Sequence, residues 1–301
     1  MQPLILVTND DGIESVGLWA AVEALMPLGE VLVVAPDRQW SGGGRSMPPH
    51  VTGRIRPITR QVCGEAVEAY AVDATPALAV QHAVLELATR PLSLAVSGIN
   101  FGLNLATEVT ISGTVGAALE ASAFDIPALA VSLEMDPAYH LTGDASADYS
   151  VAMACIQQFA WHQMIHAPAH DVDVLNINVP SGATACTPWR LTRLSRRRHF
   201  DPQVPDRSAG QGRPGYATIG DLGQVELDSD IWALRVDRVI SVTPLSLDLT
   251  SRCDLTATDA SLRAEMATDQ DVVDFLSMRW PCTPWEEHAY APHGEEVPAF
   301  S

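Results

Sequence analysis

Two adjacent acids, Asp10 and Asp11, close the run Leu4-Ile5-Leu6-Val7-Thr8-Asn9-Asp10-Asp11-Gly12. Like charges side by side repel, and taking them out of water costs free energy unless a cation compensates. A hard divalent ion that prefers oxygen ligands, Mg²⁺ or Mn²⁺, is the simplest compensation. Taken alone, the pair is equally well explained as a solvated turn in which Asp11 caps the next helix. Three further stretches concentrate oxygen atoms and small residues: Ser41-Gly42-Gly43-Gly44-Arg45-Ser46, Ser97-Gly98-Ile99-Asn100-Phe101-Gly102-Leu103-Asn104, and Ile111-Ser112-Gly113-Thr114-Val115. Ser-Gly-Thr opening a helix offers an anion free N–H groups, the positive end of the dipole and two hydroxyls. Taken singly, Ser112 is more simply an ordinary N-cap. An acid pair, an oxygen-rich loop and an anion cradle together point to metal-assisted phosphoryl chemistry.

Such a site needs elements that bring the stretches to one edge. Leu4 to Thr8 is an apolar strand ending in the acids, and Val31 to Ala35 is a second, reached after a helix around Leu18 to Met26. Thr75-Pro76 starts a helix over 77–88, since Pro fits a first helical turn. Strands are expected over 92–96, 128–133 and 172–177, with helices over 113–123 and 147–163. Near-continuous apolar strands alternating with helices predict an α/β, Rossmann-like, mostly parallel sheet covered by helices on both faces. After Pro180 the texture turns rich in Arg, Pro and Gly, which reads as hairpins or a projecting arm to about residue 230. Val239 to Pro244 is one more strand. From Asp254 onward ten acids stand against two Arg, and we expect a helix over 259–278 and then a loose tail. The expected division is therefore a core over 1–180, arm and closing strand over 181–255, and a helix with acidic tail over 256–301.

Composition removes several function classes. The chain has 301 residues, a formal net charge of −19 and 47% hydrophobic residues, and its mean hydropathy is +0.08. The negative balance opposes binding of long nucleic acids, which attract basic surfaces. All 18 basic residues are Arg, so a Walker A lysine, a Schiff-base lysine and a Ser-Lys dyad are absent. Cys63, Cys155, Cys186, Cys253 and Cys282 are odd in number and lack a CxxC pair, which indicates neither a disulfide framework nor a thiolate zinc site. No apolar run is long enough for a membrane span, and no signal-peptide pattern opens the chain, so a cytoplasmic location is expected.

Asn9-Asp10-Asp11-Gly12, Val34-Ala35-Pro36-Asp37-Arg38, Ser41-Gly42, Ser97-Gly98-Ile99-Asn100-x-Gly-x-Asn104 and Ser112-Gly113-Thr114-Val115 together resemble the SurE family of stationary-phase survival proteins. The likeness continues through Pro127 to Ser132 and Ser241 to Leu245. It implies a metal-dependent 5′/3′-nucleotidase that hydrolyses nucleoside monophosphates, on a Rossmann-like fold with a projecting oligomerisation arm. By the same resemblance one Mg²⁺ or Mn²⁺ per subunit falls to Asp10, Asp11, Ser41 and Asn100. Asn9, Gly42, Gly43, Asn104, Ser112, Gly113 and Thr114 border the phosphate, and the chain works as a homo-oligomer, a dimer or a tetramer. Asp10 and Asp11 are the expected catalytic residues, with attack by water or through an aspartyl-phosphate on Asp10 both left open.

Some residues depart from that pattern or distract from it. The helix after Thr75-Pro76 begins Ala77-Leu78 where the family commonly has Ala-Asp. Trp40, beside the glycine-rich loop, is suited to stacking on a base or to a core or lid role. His162, His166 and His170 have the spacing of imidazoles on one helix face, but Pro168 interrupts and no HExxH acid is present, so a surface or helix-end role is favoured. The arginines from Arg193 to Arg198 suit a subunit contact or a solvated arm. Two rivals from other classes are a catalytically silent nucleotide-binding module and an oligomeric scaffold of the same fold.

Overall fold

Strand β1 (Leu4–Thr8) is buried at every position, because it lies between two parallel neighbours with helices on both faces of the sheet. The computed structural model describes residues 2–135, 147–208, 210, 212 and 214–268, with side chains to 263. Chain contacts separate a unit Met1–Asp248 from a second beginning at Leu249.

In the first unit β1 is followed by α1 (Val16–Leu25), β2 (Glu30–Pro36), and the hairpin β3 (Ile55–Val62) and β4 (Glu65–Val72). Next come α2 (Pro76–His82), which runs on into a π-turn at Ala83–Leu87, then β5 (Leu94–Phe101), a 3-10 turn (Ala106–Thr110), α3 (Gly113–Ser122) and β6 (Ala128–Leu133). Then follow α4 (Ser150–Ile165), β7 (Val174–Val179), β8 (Trp189–Leu191), β9 (Phe200–Gln203), β10 (Gly215–Thr218), α5 (Asp230–Arg235) and β11 (Ile240–Leu245). The second unit contributes α6 (Leu255–Thr268).

Nine strands form one sheet in the order β3-β4-β2-β1-β5-β6-β7-β11-β8. Six of them, β4 through β7 in that order, are parallel; β3 and β11 run against their inner neighbours. One face is covered by α1 and α4, where Leu18, Trp19, Val22, Ile156 and Phe159 pack together. The other is covered by α2 and α3 through Val80, Val115 and Ala118. The chain leaves β1 to one side for β2 and returns to its other side as β5. A crevice therefore opens at the carboxyl ends of β1 and β5, the switch point where open α/β sheets bind ligands.

Several expectations are adjusted in detail. The strand expected over 92–96 begins at Leu94 and continues to Phe101, fully buried, so Ser97 to Asn100 belong to the sheet rather than to a loop. Their small and polar composition reflects a bulge between Ser97 and Asn100 against β6. Gly98 has φ +133°, and a side chain there would collide with the Val131 carbonyl. The β3–β4 hairpin was not anticipated: Ile55-Arg56-Pro57-Ile58-Thr59-Arg60-Gln61-Val62 is an edge strand, polar enough to read as loop. Within 181–230, β8 joins the main sheet while β9 and β10 form a separate antiparallel ribbon. The helix expected over 259–278 is seen as α6, and its later residues and the tail lie outside the described residues. Among the described residues no helix is long and apolar enough to cross a membrane.

Candidate functional site

Asp10 sits just past β1, 4% exposed, with its carboxylate enclosed by the start of α3. Thr114 Oγ1 donates to Asp10 Oδ1 at 2.6 Å, and the backbone N–H groups of Gly113 and Thr114 support the same carboxylate. The helix N-terminus that the sequence marks as an anion cradle thus already points at a protein anion. Gly113 makes the approach possible, since a Cβ there would lie 2.6 Å from Asp10 Cβ and 2.8 Å from Oδ2. The Asp10 carbonyl in turn accepts from Trp40 N at 2.7 Å, which anchors the glycine-rich loop beside it.

Asp11 turns toward β5. Its Oδ2 accepts from Phe101 N at 3.1 Å and its Oδ1 from Gln39 Nε2 at 3.3 Å. Burial, and secondarily the charge of Asp10, push its carboxyl up to about 8. Burial also raises Asp10, against its hydrogen bonds. Among the described residues neither acid has an ion-pair partner, although ten other carboxylates do. Holding two adjacent carboxylates ionised away from water costs free energy that a cation would offset.

Asn100 follows the bulge in β5, and its Nδ2 donates to Gly102 O at 2.8 Å. The amide nitrogen is thereby committed, and Oδ1 is the atom with which Asn100 could hold a cation. Ser41 is exposed, one residue beyond the Trp40 anchor, at the rim of the same edge. Two carboxylates, an amide oxygen and a hydroxyl are all oxygen donors, the kind a hard divalent ion prefers. Among the described residues no cluster of three or more His, Cys, Asp or Glu exists that would favour a softer metal.

The loop after Ser41 is pinned rather than free. Gly43 N donates to Trp40 O, Gly44 N to Ile111 O, and Arg45 pairs with Glu120 of α3 at 2.6 Å. Trp40 carries Arg38 over its ring at 5.1 Å and lies 6.3 Å from the His50 ring. Gly42 remains open, with nothing within 4 Å of the side-chain position.

Asn104 is held from four directions. Its Nδ2 donates to Ser132 Oγ at 2.9 Å and Thr114 Oγ1 at 3.3 Å, its N–H to Asn178 Oδ1 at 2.8 Å, and its carbonyl accepts from Asn176 and Asn178. Asp10, Thr114, Asn104 and Ser132 therefore form one buried hydrogen-bonded chain. Two expected phosphate-bordering groups are engaged elsewhere. Asn9 closes its own turn, giving Nδ2 to Gly12 O and accepting from Gly12 N. Ser112 Oγ caps α3 through Val115 N at 3.1 Å.

The family model "Survival protein SurE" matches residues 5–201. This chain belongs to the SurE family. It is 45% identical over 251 residues to 5′-nucleotidase SurE of Thermococcus gammatolerans, covering 83% of this chain and 92% of that protein. The corresponding protein of Thermococcus kodakarensis is 43% identical over 249 residues, 82% and 94% of the two chains. Among solved structures, a SurE protein from Aquifex aeolicus superposes with TM-score 0.66 at 29% identity, covering 86% of this chain and all of that one.

Sequence reasoning about this SurE chain missed Asn176, Asn178 and Ser132, all fully buried on strands. The available signal was a pair of amides two apart in the apolar run Val174-Leu175-Asn176-Ile177-Asn178-Val179, on one face of a strand. Buried amides in such a run need partners, and here the partner is Asn104. The histidine decoy is confirmed as surface chemistry of the helix end: the His162 and His166 rings stack at 4.6 Å, and His166 has left the helix with extended backbone.

Proposed function

We propose that this chain is a metal-dependent 5′-nucleotidase that hydrolyses nucleoside 5′-monophosphates, and 3′-monophosphates as a further substrate, to nucleoside and phosphate. The observation that carries the reading is the Asp10–Asp11 pair, Asp10 buried and Asp11 half-buried, with no ion-pair partner among the described residues, at the sheet's switch point beside the α3 N-terminus. Asp10, Asp11, Ser41 and Asn100 would hold one Mg²⁺ or Mn²⁺. Such an ion, when bound, supplies charge neutralisation for the phosphoryl group and greater acidity for a bound water.

The chain's own residues do the rest by positioning. Thr114 and the Gly113 and Thr114 N–H groups fix Asp10, and Phe101 N and Gln39 fix Asp11. Asn104, braced by Asn176 and Asn178, spends its amide hydrogens on Ser132 and Thr114 and so holds Thr114 in place behind Asp10. Water adds to phosphorus as the nucleoside oxygen leaves, and the substrate anion approaches two carboxylates only if their charge is offset. Positioning and charge stabilisation account for most of such a reaction, so a site without a histidine or lysine suffices.

Phosphate release from AMP, with and without EDTA, tests the reading. EDTA should abolish turnover and Mg²⁺ or Mn²⁺ should restore it; full turnover in a verifiably metal-free sample would overturn it. A homo-oligomer located in the cytoplasm belongs to the same proposal. Its support is the exposed apolar surface of the arm region, where Trp189, Leu191, Val204 and Tyr216 are 45%, 62%, 95% and 54% exposed.

A further inference from the structure

A second concavity opens on the same sheet edge as the acids. It is a cavity of ≈ 200 Å³ lined by Leu103, Glu134, His199, Phe200, Thr218 and Arg235. Two of these residues tie it to the site already described. Leu103 precedes Asn104, and Glu134 lies two residues beyond Ser132, the hydroxyl that holds the Asn104 amide. In extended chain two residues span about 6–7 Å, so the cavity begins roughly one sugar's length from the Asn104–Thr114 end.

Two of its buried polar atoms are unengaged among the described residues. Arg235 Nη1 and His199 Nδ1 are buried and have no hydrogen-bond partner among the described residues. Arg235 uses Nη2 on Ile219 O at 3.4 Å and has no carboxylate partner among the described residues. His199 is 3% exposed, and burial, with the Arg235 charge, lowers it to about 4, so the ring is neutral at physiological pH. Unsatisfied buried donors and acceptors of this kind are expensive and uncommon. An arginine without an acid partner suggests an anion, but Glu134 argues against one. Its carboxylate lines the same cavity, and Arg238 and Ser181 help to hold it ionised by engaging Oε2. What suits a wall of guanidinium N–H, neutral imidazole and carboxylate is a neutral ring carrying both acceptors and donors. The Phe200 ring, half-buried and stacked edge-on between His199 at 4.5 Å and Tyr216 at 5.1 Å, supplies an aromatic surface for it.

We propose that this cavity receives the base of the nucleotide, with Arg235 Nη1 donating to a ring nitrogen or carbonyl oxygen and Phe200 packing against the ring. Glu134 Oε1 accepts from an exocyclic amino group, so adenine, guanine and cytosine are favoured over uracil. The inference rests on the nucleotidase reading and adds its specificity element.

The test uses the full-length chain with Mg²⁺ and compares AMP, GMP, CMP and UMP with ribose 5-phosphate, which has no base. In wild type, kcat/KM should be highest for the amino-bearing bases and lowest for ribose 5-phosphate. In Arg235→Met, and separately in Phe200→Leu, the ratio of kcat/KM for AMP to that for ribose 5-phosphate should fall at least tenfold. A ratio that does not move in either folded variant overturns the proposal, whether both substrates decline together or neither does. Equilibrium binding of adenosine and guanosine, measured by calorimetry, needs no hydrolysis and separates the two readings. Wild-type binding that weakens at least tenfold in both variants supports the base site even in a chain that releases no phosphate. Nucleoside binding equal in wild type and variants overturns the base site while leaving the nucleotidase reading standing.

Discussion

Gly113→Ala adds one methyl group at the point where α3 meets Asp10, and the structure gives its consequence. The new Cβ would stand 2.6 Å from Asp10 Cβ and 2.8 Å from Oδ2, whereas ordinary contacts are roughly 3.5–4.0 Å. Something must yield by about 1 Å. The β1 end is held by its ladder and by Trp40 N on Asp10 O, so the carboxylate and the first turn of α3 share the displacement. Overpacking of this size costs about 1–3 kcal/mol, and the better helix propensity of Ala returns up to about 1 kcal/mol. Net destabilisation should therefore be no more than about 3 kcal/mol, less than the roughly 5–15 kcal/mol of a typical domain, and the protein stays folded. Function is more sensitive, because a misplacement near 1 Å costs on the order of 10²-fold in rate. Urea unfolding would measure the first quantity, and phosphate release from AMP across a Mg²⁺ titration the second. Gly64→Ala is the control for backbone strain alone, since Gly64 has φ +83° and nothing within 4 Å of its side-chain position. A folded Gly113→Ala protein with wild-type kcat/KM and an unchanged Mg²⁺ midpoint would refute the argument that this glycine sets the Asp10 geometry.

Further expectations follow from single contacts. Thr114→Val keeps shape but removes the hydroxyl that donates to Asp10 Oδ1, so turnover should fall on the order of 10²-fold while the fold survives; unchanged kinetics would reduce Thr114 to a packing residue. His199 is lowered to about 4 from 6.5, so the unfolded chain takes up a proton that the folded ring refuses, and stability is lost as pH falls from 6.5 toward 4. The full loss is about 3 kcal/mol, and His199→Gln should flatten the urea-midpoint decline over that window; parallel declines would contradict this. Light scattering should give twice the 32.3 kDa chain mass or a multiple of it, and deleting the β9–β10 ribbon should weaken association. A fully active monomer at micromolar concentration would defeat the oligomer proposal.

The parallel sheet was legible because buried strands such as Leu4 to Thr8 and Ala128 to Leu133 are continuous apolar runs, and their bounds were anticipated closely. Asp10, Asp11 and Thr114 were legible because adjacent acids and a Ser-Gly-Thr helix start each pose a local electrostatic problem. What Thr114 does with its hydroxyl was not legible, since Asp10 is 104 positions away. The same holds for Asn104, whose brace comes from β7, 72 and 74 residues on. The β3–β4 hairpin escaped notice for the opposite reason. An edge strand shows solvent its polar face, and Pro57 with Arg56 and Arg60 hides the alternation.

Asp230 is buried at the start of α5, and burial raises its carboxyl to about 6 despite the N–H groups of Ala106, Ser195 and Ile231 that it accepts. Glu108 makes a matching fastening, receiving the N–H groups of His199 and Phe200. Through Asp230 the turn that leads into Ser112-Gly113-Thr114 is therefore bolted to chain that lies beyond residue 201, where the family-model match ends. The nine-stranded sheet has the same dependence, because β11 is inserted between β7 and β8 and covers the β7 edge. The segment that the family model matches and the segment able to stand alone are thus different lengths of chain. A fragment ending at residue 201 would keep Asp10, Asp11, Ser41 and Asn100, yet it would bare the edge of a buried strand and lose the Asp230 fastening of the turn that leads into Ser112.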